Sequence, residues 1–409
     1  MRHSDLSLVV IDDNAFLAHD GELQLRRGDF CRFAAQLGSQ VRKVTLCSPV
    51  LNLPSRRHGS PRPVWSFSGC EVAPTFPYVR LAEYVRKLPL ALRHNFPVLI
   101  KAIRPGDLVL IRVPAANGML AYVIARAFRK PVVIFLVGPP AAGALSSSCR
   151  PGRRTIIRLA ALLEWASIVW MARRAPVFAY GSHLAERLRA ARAMSVSVTF
   201  TSLVDALPAT ADGRNGRPPF KMLYAGRLAP EKGIDVLLAA LKQVVADGQA
   251  AELDVVGDGP QAAELRLQAG RVAGAQIRFH GWLSEGSDLD QLFDDADLFV
   301  HPSRQEGIPK VLLKAMAHGL PVVTTNIGGI PDIVVDGEQG LLVPADDPVR
   351  LAEALERVLN DAGLRHRLGE AGRTYAAAHT TGEQARAVWR DIGTAFPYLV
   401  SASEDGNSQ

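Results

Sequence analysis

Cysteine is scarce in this 409-residue chain: Cys31, Cys47, Cys70 and Cys149 all fall in its first half, and no two are spaced CxxC. That pattern supports neither a zinc site nor a secreted disulfide framework, and it predicts a cytosolic protein with reduced thiols. Long hydrophobic runs are missing too. The first apolar stretch is closed by Asp12 and Asp13, too soon for a signal peptide. VVIFLVGPPAAGAL is interrupted by Gly138-Pro139-Pro140, and LAALLEWASIVWMA by Glu164, with Arg158 and Arg173 flanking it. Neither approaches the roughly 20 apolar residues that span a bilayer, so a soluble or peripheral protein is expected. Aromatic residues are 7% of the chain, and no stacking-rich or nucleic-acid-binding module is found, so no nucleic-acid partner is expected. Short-period repeats are absent, and the one low-complexity tract is the final SASEDGNSQ, which reads as a frayed tail.

What is present is ordinary globular composition, 48% apolar and 21% charged with 34 Gly and 27 Pro, which argues against disorder. At roughly 100–200 residues per domain, the length implies two domains. The net charge of +7 conceals two unlike halves. Through residue 215 there are 29 Lys and Arg against 13 Asp and Glu, or +16; the remainder has 18 against 27, or −9. Such asymmetry points to a polyanionic or membrane partner for the basic half.

Short β-branched runs alternate with helix-period segments along the chain. Leu6–Ile11, Val41–Leu46, Asp107–Val113, Val132–Val137 and Val177–Tyr180 read as buried strands, and the pattern restarts after residue 218. The second series is Phe220–Tyr224, Leu253–Val256, Ile277–His280, Asp297–Val300 and Pro321–Thr324. Runs apolar nearly throughout suit parallel strands covered on both faces. Between the series, LPATADGRNGRPPF (207–220) has the composition of a linker. Two successive β/α series predict two doubly wound domains with a cleft between them. Helical segments near the end include Arg350–Leu359 and Thr381–Phe396.

The second half holds the motifs. In GRLAPEKGIDVLLAAL (226–241), Gly226 directly follows a strand, and Arg227 and Lys232 precede a helix. Two cations in a loop beside a helix start suit a diphosphate, and equally a solvated basic loop. VGDGP places Gly257 and Gly259 at another strand end, a weak signal by itself because most such turns are only turns. In HPSRQEGIPKVLLKAMAHGLPVV, Glu306 and Gly307 form a loop and Val311–His318 reads as a helix stopped by Gly319 and Pro321. A carboxylate and free amides then meet at a helix N-terminus, where the amides can hold an anion and Glu306 can accept from sugar hydroxyls. A second glycine-rich loop, Gly328-Gly329-Ile330-Pro331, follows the next strand.

Taken in order, GRLAPEKG, VGDGP and the segment 301–343 resemble glycosyltransferase family 4, retaining enzymes of the glycosyl transferases group 1 type. The resemblance is dense across about 220–345 and elsewhere rests on the general β/α pattern. It implies an α/β GT-B fold, two Rossmann-like doubly wound domains with an interdomain cleft. Residues 1–212 would form the acceptor domain, 213–380 the nucleotide-sugar donor domain, and 381–399 a helix crossing back to the first. By resemblance Arg227 and Lys232 neutralise the donor diphosphate without a metal. Glu306 matches the first carboxylate of a paired-glutamate motif that contacts the donor sugar, completing the catalytic set. Gly226 and Gly257 line the donor, and the amides of Gly307, Ile308, Pro309, Lys310 and Val311 hold its oxygens. Gly281, Trp282 and Leu283 fall at the base-contacting loop, although Trp282 also suits packed core. The nucleotide sugar is a substrate, and neither cofactor nor metal is implied.

One position departs from the family. Its second glutamate, eight residues after the first, usually contacts the ribose; here that position is Lys314, a donor in place of an acceptor. Lys314 lies one helical turn after Lys310. Altered ribose contacts are expected; a weakened site and a surface lysine are the alternatives. The first half also departs: it has neither a plain double glycine near its start nor a histidine after the central strand. Asp20, Gly21 and Gly138 are the remaining acceptor-side positions, and His19 and His183 read as ordinary loop or helix-surface residues. No general base is named; the leaving phosphate can take the acceptor's proton.

The basic excess lies in 79–107 (Arg80, Arg86, Lys87, Arg93, Lys101, Arg104) and 149–174 (Arg150, Arg153, Arg154, Arg158, Arg173, Arg174). Basic flanks on amphipathic segments suit an anionic membrane surface. Solvated loop arginines in the first stretch, and a buried helix with charged ends in the second, fit as well. The expected function is a retaining, metal-independent, hexosyltransferase-type glycosyltransferase, in the cytoplasm or on the cytoplasmic face of a membrane. Its acceptor would be a lipid-linked or envelope glycan or an exopolysaccharide precursor. The alternatives are a nucleotide-sugar epimerase or hydrolase of the same fold, and a degenerate lipid- or sugar-binding protein.

Overall fold

A computed structural model describes residues 5–13, 16–19, 22–25, 29–52, 70–78, 81–138, 151–200, 202–209, 218–284 and 286–400. The chain forms two compact units, unit 1 from Met1–Thr201 with Gln384–Gln409 and unit 2 from Ser202–Glu383.

Among the described residues unit 1 is built on nine strands: β1 (Ser7–Ile11), β2 (Phe16–His19), β3 (Glu22–Leu25), β4 (Lys43–Asn52), β5 (Cys70–Thr75), β6 (Leu108–Val113), β7 (Val132–Leu136), β8 (Val177–Tyr180) and β9 (Val196–Thr199). Their order is β3-β2-β4-β1-β6-β7-β8-β9, with β5 also paired to β4. Every pairing is parallel except β2 with β3. Successive side chains of a strand point to opposite faces, and here both faces are covered. Val9, Ile11, Val109, Ile111 and Ile134 join one core cluster, whereas Leu8, Val10, Leu108, Leu110 and Val133 join another. The helices are α1 (Asp29–Gly38), α2 (Leu81–Arg86), α3 (Leu88–Ile103), α4 (Gly118–Ala127), α5 (Pro151–Ala172) and α6 (Ser182–Ala190). No described helix is long and apolar enough to cross a membrane.

Among its described residues unit 2 repeats the plan with six parallel strands: β10 (Phe220–Ala225), β11 (Ala251–Val256), β12 (Gln276–Gly281), β13 (Leu298–His301), β14 (Val322–Thr325) and β15 (Gly340–Val343). Their order is β12-β11-β10-β13-β14-β15. The helices are α7 (Ile234–Ala246), α8 (Ala262–Ala269), α9 (Ser287–Asp295), α10 (Lys310–Ala317), α11 (Pro348–Asn360) and α12 (Ala362–Ala378). Residues of α7, α8, α11 and α12 share one core cluster with β10, β11 and β13. The last long helix, α13 (Thr381–Ala395), starts within the last residues of unit 2 and continues in unit 1. There Ala385, Val388, Trp389 and Ile392 join the cluster that holds Phe33 and Leu37 of α1. The Trp389 indole N–H donates to the Leu37 carbonyl at 3.2 Å.

Three details differ from the sequence expectation. The stretch after Ile11, read as a loop, contains the β2–β3 hairpin, paired from Phe16↔Leu25 to His19↔Glu22. The strand expected at Val41–Leu46 runs on to Asn52, because β2 and β5 pair with its later residues. Part of the segment read as a linker is tied down within unit 2: Arg373 Nη2 donates to Pro208 O at 2.7 Å.

Candidate functional site

In unit 2, β11 lies on one side of β10 and β13 on the other. The chain reverses its direction of travel across the sheet at that point, so the loops leaving the carboxyl ends of β10 and β13 flank a crevice, the usual ligand position in open α/β sheets. The first loop carries Gly226, Arg227 and Lys232; the second carries Glu306 and leads into α10.

The loops are pressed together. Gly257, after β11, has φ +135°, and a Cβ there would overlap the Gly226 carbonyl. Gly328, after β14, has φ +54°, and a Cβ there would overlap the Glu306 carbonyl. Only glycine permits both the backbone and the approach. Hydrogen bonds from Gly226 N to Val256 O (3.0 Å), Gly257 N to Gly281 O (2.7 Å) and Gly329 N to Gly307 O (2.9 Å) complete the seam.

Glu306 is the centre of the charge arrangement. Its Oε1 accepts from Lys232 Nζ, from His301 Nε2 at 2.8 Å and from Ser303 Oγ at 2.9 Å. Burial by itself would raise this carboxyl, but donation from His301 and Lys232 outweighs it and pulls the pKa down to about 2. The carboxylate therefore stays ionised and can act only as an acceptor. His301, last residue of β13, is buried with its ring parallel to Tyr224 at 6.2 Å. The sequence reading missed His301 and Ser303. It also missed Arg304, which grips Asp235 through two 2.7 Å bonds, donates to Pro230 O at 2.7 Å and pairs with Asp346. That clamp fastens the Glu306 loop to the start of α7 and so fixes Lys232 beside Glu306. The signal available was the HPSR run, residues 301–304, one residue short of Glu306.

Arg227 differs from Lys232. Its side chain is 65% exposed and lies 3.9 Å from Glu231, a loose surface pair. No side chain caps the N-terminus of α10, which follows Pro309. Pro309 itself has no amide hydrogen, so the expected donor set contracts to Gly307, Ile308, Lys310 and Val311. Gly281, the last residue of β12, has φ +71°, and Trp282 after it is 70% exposed, which removes the packed-core reading of that indole; Leu283 beside it is half-buried.

Lys314 is neither a surface lysine nor an uncommitted one. Its side chain is 13% exposed, and Nζ lies 2.6 Å from Asp290 of α9 and 5.5 Å from the Phe293 ring centroid. One turn later, His318 Nδ1 meets Asp294 at 2.7 Å. On the acceptor side, Gly138 follows β7 with nothing within 4 Å of a notional Cβ, while Asp20 and Gly21 lie outside the described residues.

Residues 219–361 match the family model of the glycosyl transferases group 1. This segment belongs to that family. The chain is 30% identical over 177 residues to alpha-D-kanosaminyltransferase of Streptomyces kanamyceticus, covering 42% of this chain and 46% of that one. It is 28% identical over 185 residues to the capsular polysaccharide biosynthesis glycosyltransferase CapM of Staphylococcus aureus, covering 45% and 48%. The chain thus spans just under half the length of these curated relatives. Its fold is similar to that of Anabaena Alr3699/HepE in complex with UDP and glucose, with TM-score 0.65 and 16% identity, covering 95% of this chain and 100% of that one. The two Rossmann-like units of a GT-B fold are therefore the observed architecture.

Proposed function

We propose that the protein is a retaining glycosyltransferase that moves a sugar from a nucleotide-sugar donor to a lipid-linked or envelope glycan, or to an exopolysaccharide precursor. One observation carries this: a carboxylate held ionised, an exposed guanidinium and a helix N-terminus without a side-chain cap share one switch-point crevice, on the segment that matches the group 1 family.

In this mechanism the donor diphosphate lies against the first amides of α10 and Arg227. Glu306, with Oε1 already taking three donors, uses its remaining acceptor capacity for a donor-sugar hydroxyl. As the bond to the nucleotide breaks, negative charge grows on the diphosphate. Arg227 and the α10 N-terminus are already aimed at that charge, so little reorganisation opposes the step. Lys232 adds positive potential while holding Glu306 ionised. We assign charge neutralisation to these groups in place of a metal ion, and the leaving phosphate takes the acceptor's proton. The names of the relatives favour glycan assembly, and the UDP in Alr3699/HepE makes uridine nucleotides the first donors to try.

The acceptor's setting is read from α2 and α3. Leu88, Leu92 and Phe96 recur every four residues, so they share one face of α3, and all are exposed, as is Val85. Exposed Arg86, Lys87, Arg93, Lys101 and Arg104 accompany them. Apolar side chains among cations suit an anionic membrane surface.

The test is incubation of the full chain with radiolabelled UDP-, GDP- and ADP-sugars and a membrane lipid extract. Label in the lipid or glycan fraction is expected, and it should fall at least about a hundredfold in Glu306→Gln. Release of free sugar alone would favour a hydrolase, and donor binding with no turnover would favour a binding protein; either overturns the proposal.

A further inference from the structure

His301 ends β13, at the point where the Glu306 loop departs. It is 2% exposed, and two rings lie nearly parallel to its own. Tyr224 of β10 is 6.2 Å away with 6° between planes, and Phe299, two residues earlier on β13, is 6.3 Å away with 13°. The backbone is held as well. From β14, Thr324 Oγ1 donates to the His301 carbonyl at 2.8 Å and Thr325 Oγ1 to the Ser303 carbonyl at 2.6 Å. Close packing and a fixed backbone leave the imidazole one orientation.

That orientation decides which nitrogen carries a hydrogen. Nε2 faces Glu306 Oε1 at 2.8 Å and Ser303 Oγ at 3.1 Å. Glu306 is ionised and can only accept, so Nε2 must donate to it. Ser303 has one hydroxyl hydrogen, and its Oγ lies 2.9 Å from the same carboxylate oxygen, so that hydrogen is directed to Glu306 too. Nδ1 is buried without a hydrogen-bond partner among the described residues. Every polar contact of the ring therefore runs through Nε2.

The consequence falls on Glu306. Oε1 takes His301, Ser303 and Lys232 together, whereas Oε2 has no hydrogen-bond partner among the described residues. Lys232 reaches Oε1 from a loop, on a flexible four-carbon stem that sets no plane. The His301 ring sits on a strand and does.

We propose that His301 is a positioning residue of the transfer reaction: donating to Oε1 from a fixed ring, it turns Glu306 so that Oε2 is the oxygen presented to the donor sugar. This role rests on the transferase reading. It has a second effect, on pH. The groups that act on Glu306 are His301 of β13 and Lys232 of the loop before α7. Tyr224 of β10 also feels the carboxylate, and burial pushes its phenol up, so it stays protonated. Without His301, the burial of Glu306 is opposed by Lys232 and Ser303 alone, and the carboxyl takes up a proton at higher pH.

The test compares His301→Phe, which keeps a flat ring without a donor, with His301→Gln, which keeps a donor without a ring. Both are checked for unchanged circular dichroism and melting temperature. With a nucleotide sugar that the wild type turns over, kcat should fall about tenfold or more in His301→Phe, with the donor KM changed less. Most of that rate should return in His301→Gln. The acid limb of the kcat profile should rise by about one pH unit or more in His301→Phe alone. Two readouts on the full chain need no turnover. Carboxyl 13C titration, assigned with Glu306→Gln, should find Glu306 ionised down to pH 4 in the wild type and taking up a proton above pH 4 in His301→Phe. Nitrogen-15 histidine spectra of the wild type should place a proton on His301 Nε2. Equal carboxyl titrations in wild type and His301→Phe, faster turnover in His301→Phe than in His301→Gln, or a bare Nε2 would each overturn the role. A wild type that transfers no sugar would sink the transferase reading, and the carboxyl titration would still decide whether His301 governs Glu306.

Discussion

At the scale of single residues, two carboxyl groups are displaced in opposite directions by their surroundings. Burial raises Asp13 from 3.8 to about 6, whereas donors overcome burial at Glu306 and lower it from 4.5 to about 2. The signs for stability follow. Glu306 stabilises the fold above its unfolded value of 4.5, and that contribution is lost as the pH falls from 4.5 toward 2. Asp13 holds its proton more tightly in the fold, so stability falls as the pH rises from 3.8 to about 6. Urea unfolding of the variants between pH 3 and pH 7 should separate the two. Relative to wild type, Asp13→Asn should gain stability as the pH rises, and Glu306→Gln should lose it. Parallel curves for both variants would refute these environments. Glu306, Arg227 and Lys232 were legible because charged residues in glycine-containing loops after apolar runs stand out. His301 and Ser303 were not, because their importance depends on the loop folding back until Glu306 meets both, which no local pattern encodes.

At the scale of elements, α9 is joined to α10 and to the residue that caps it by the Lys314–Asp290 ion pair and a hydrogen bond between His318 and Asp294. Lys314→Glu would bring two carboxylates together and should destabilise the fold by roughly 1–3 kcal/mol, whereas Lys314→Met should cost less. Adding Asp290→Lys to Lys314→Glu restores the opposite-charge pair and should recover much of the loss in a double-mutant cycle. A double variant no more stable than Lys314→Glu would mean that the 2.6 Å contact does not hold the helices together. The central strands were readable from sequence because a parallel strand buried on both faces is nearly all apolar, as in SLVVI and VVIFL. The four-residue strands β2, β3, β9 and β15 and the six-residue β5 were not anticipated, although β8, β13 and β14, also four residues long, were. Helix α12 was missed too: its AGLRHRLGEAGRTYAAA interrupts an apolar stripe with three glycines.

At the scale of the whole molecule, the +16 half carries its exposed apolar side chains on the same helices as its cations, so charge and apolar contact would act together on a membrane. Each cation near an anionic surface contributes about 1 kcal/mol, and the attraction weakens with salt. Co-sedimentation should show more protein bound to phosphatidylglycerol-containing vesicles than to neutral ones, with several-fold less for Leu92→Asp and Phe96→Asp. Equal binding to both vesicle types would remove the membrane from the proposal. The path of the backbone has one more consequence, for biosynthesis. Trp389, whose indole is bonded to Leu37 in the unit 1 core, leaves the ribosome only after all of Ser202–Glu383 has been made. At roughly 5–20 residues per second, that delay is on the order of ten seconds or more. Until then one face of the first-made sheet lacks Ala385, Val388, Trp389 and Ile392, whereas every residue of the later-made unit 2 is already synthesised. During translation the first domain thus stays incomplete until the second has been made, and the late helix α13 is the one that closes the first.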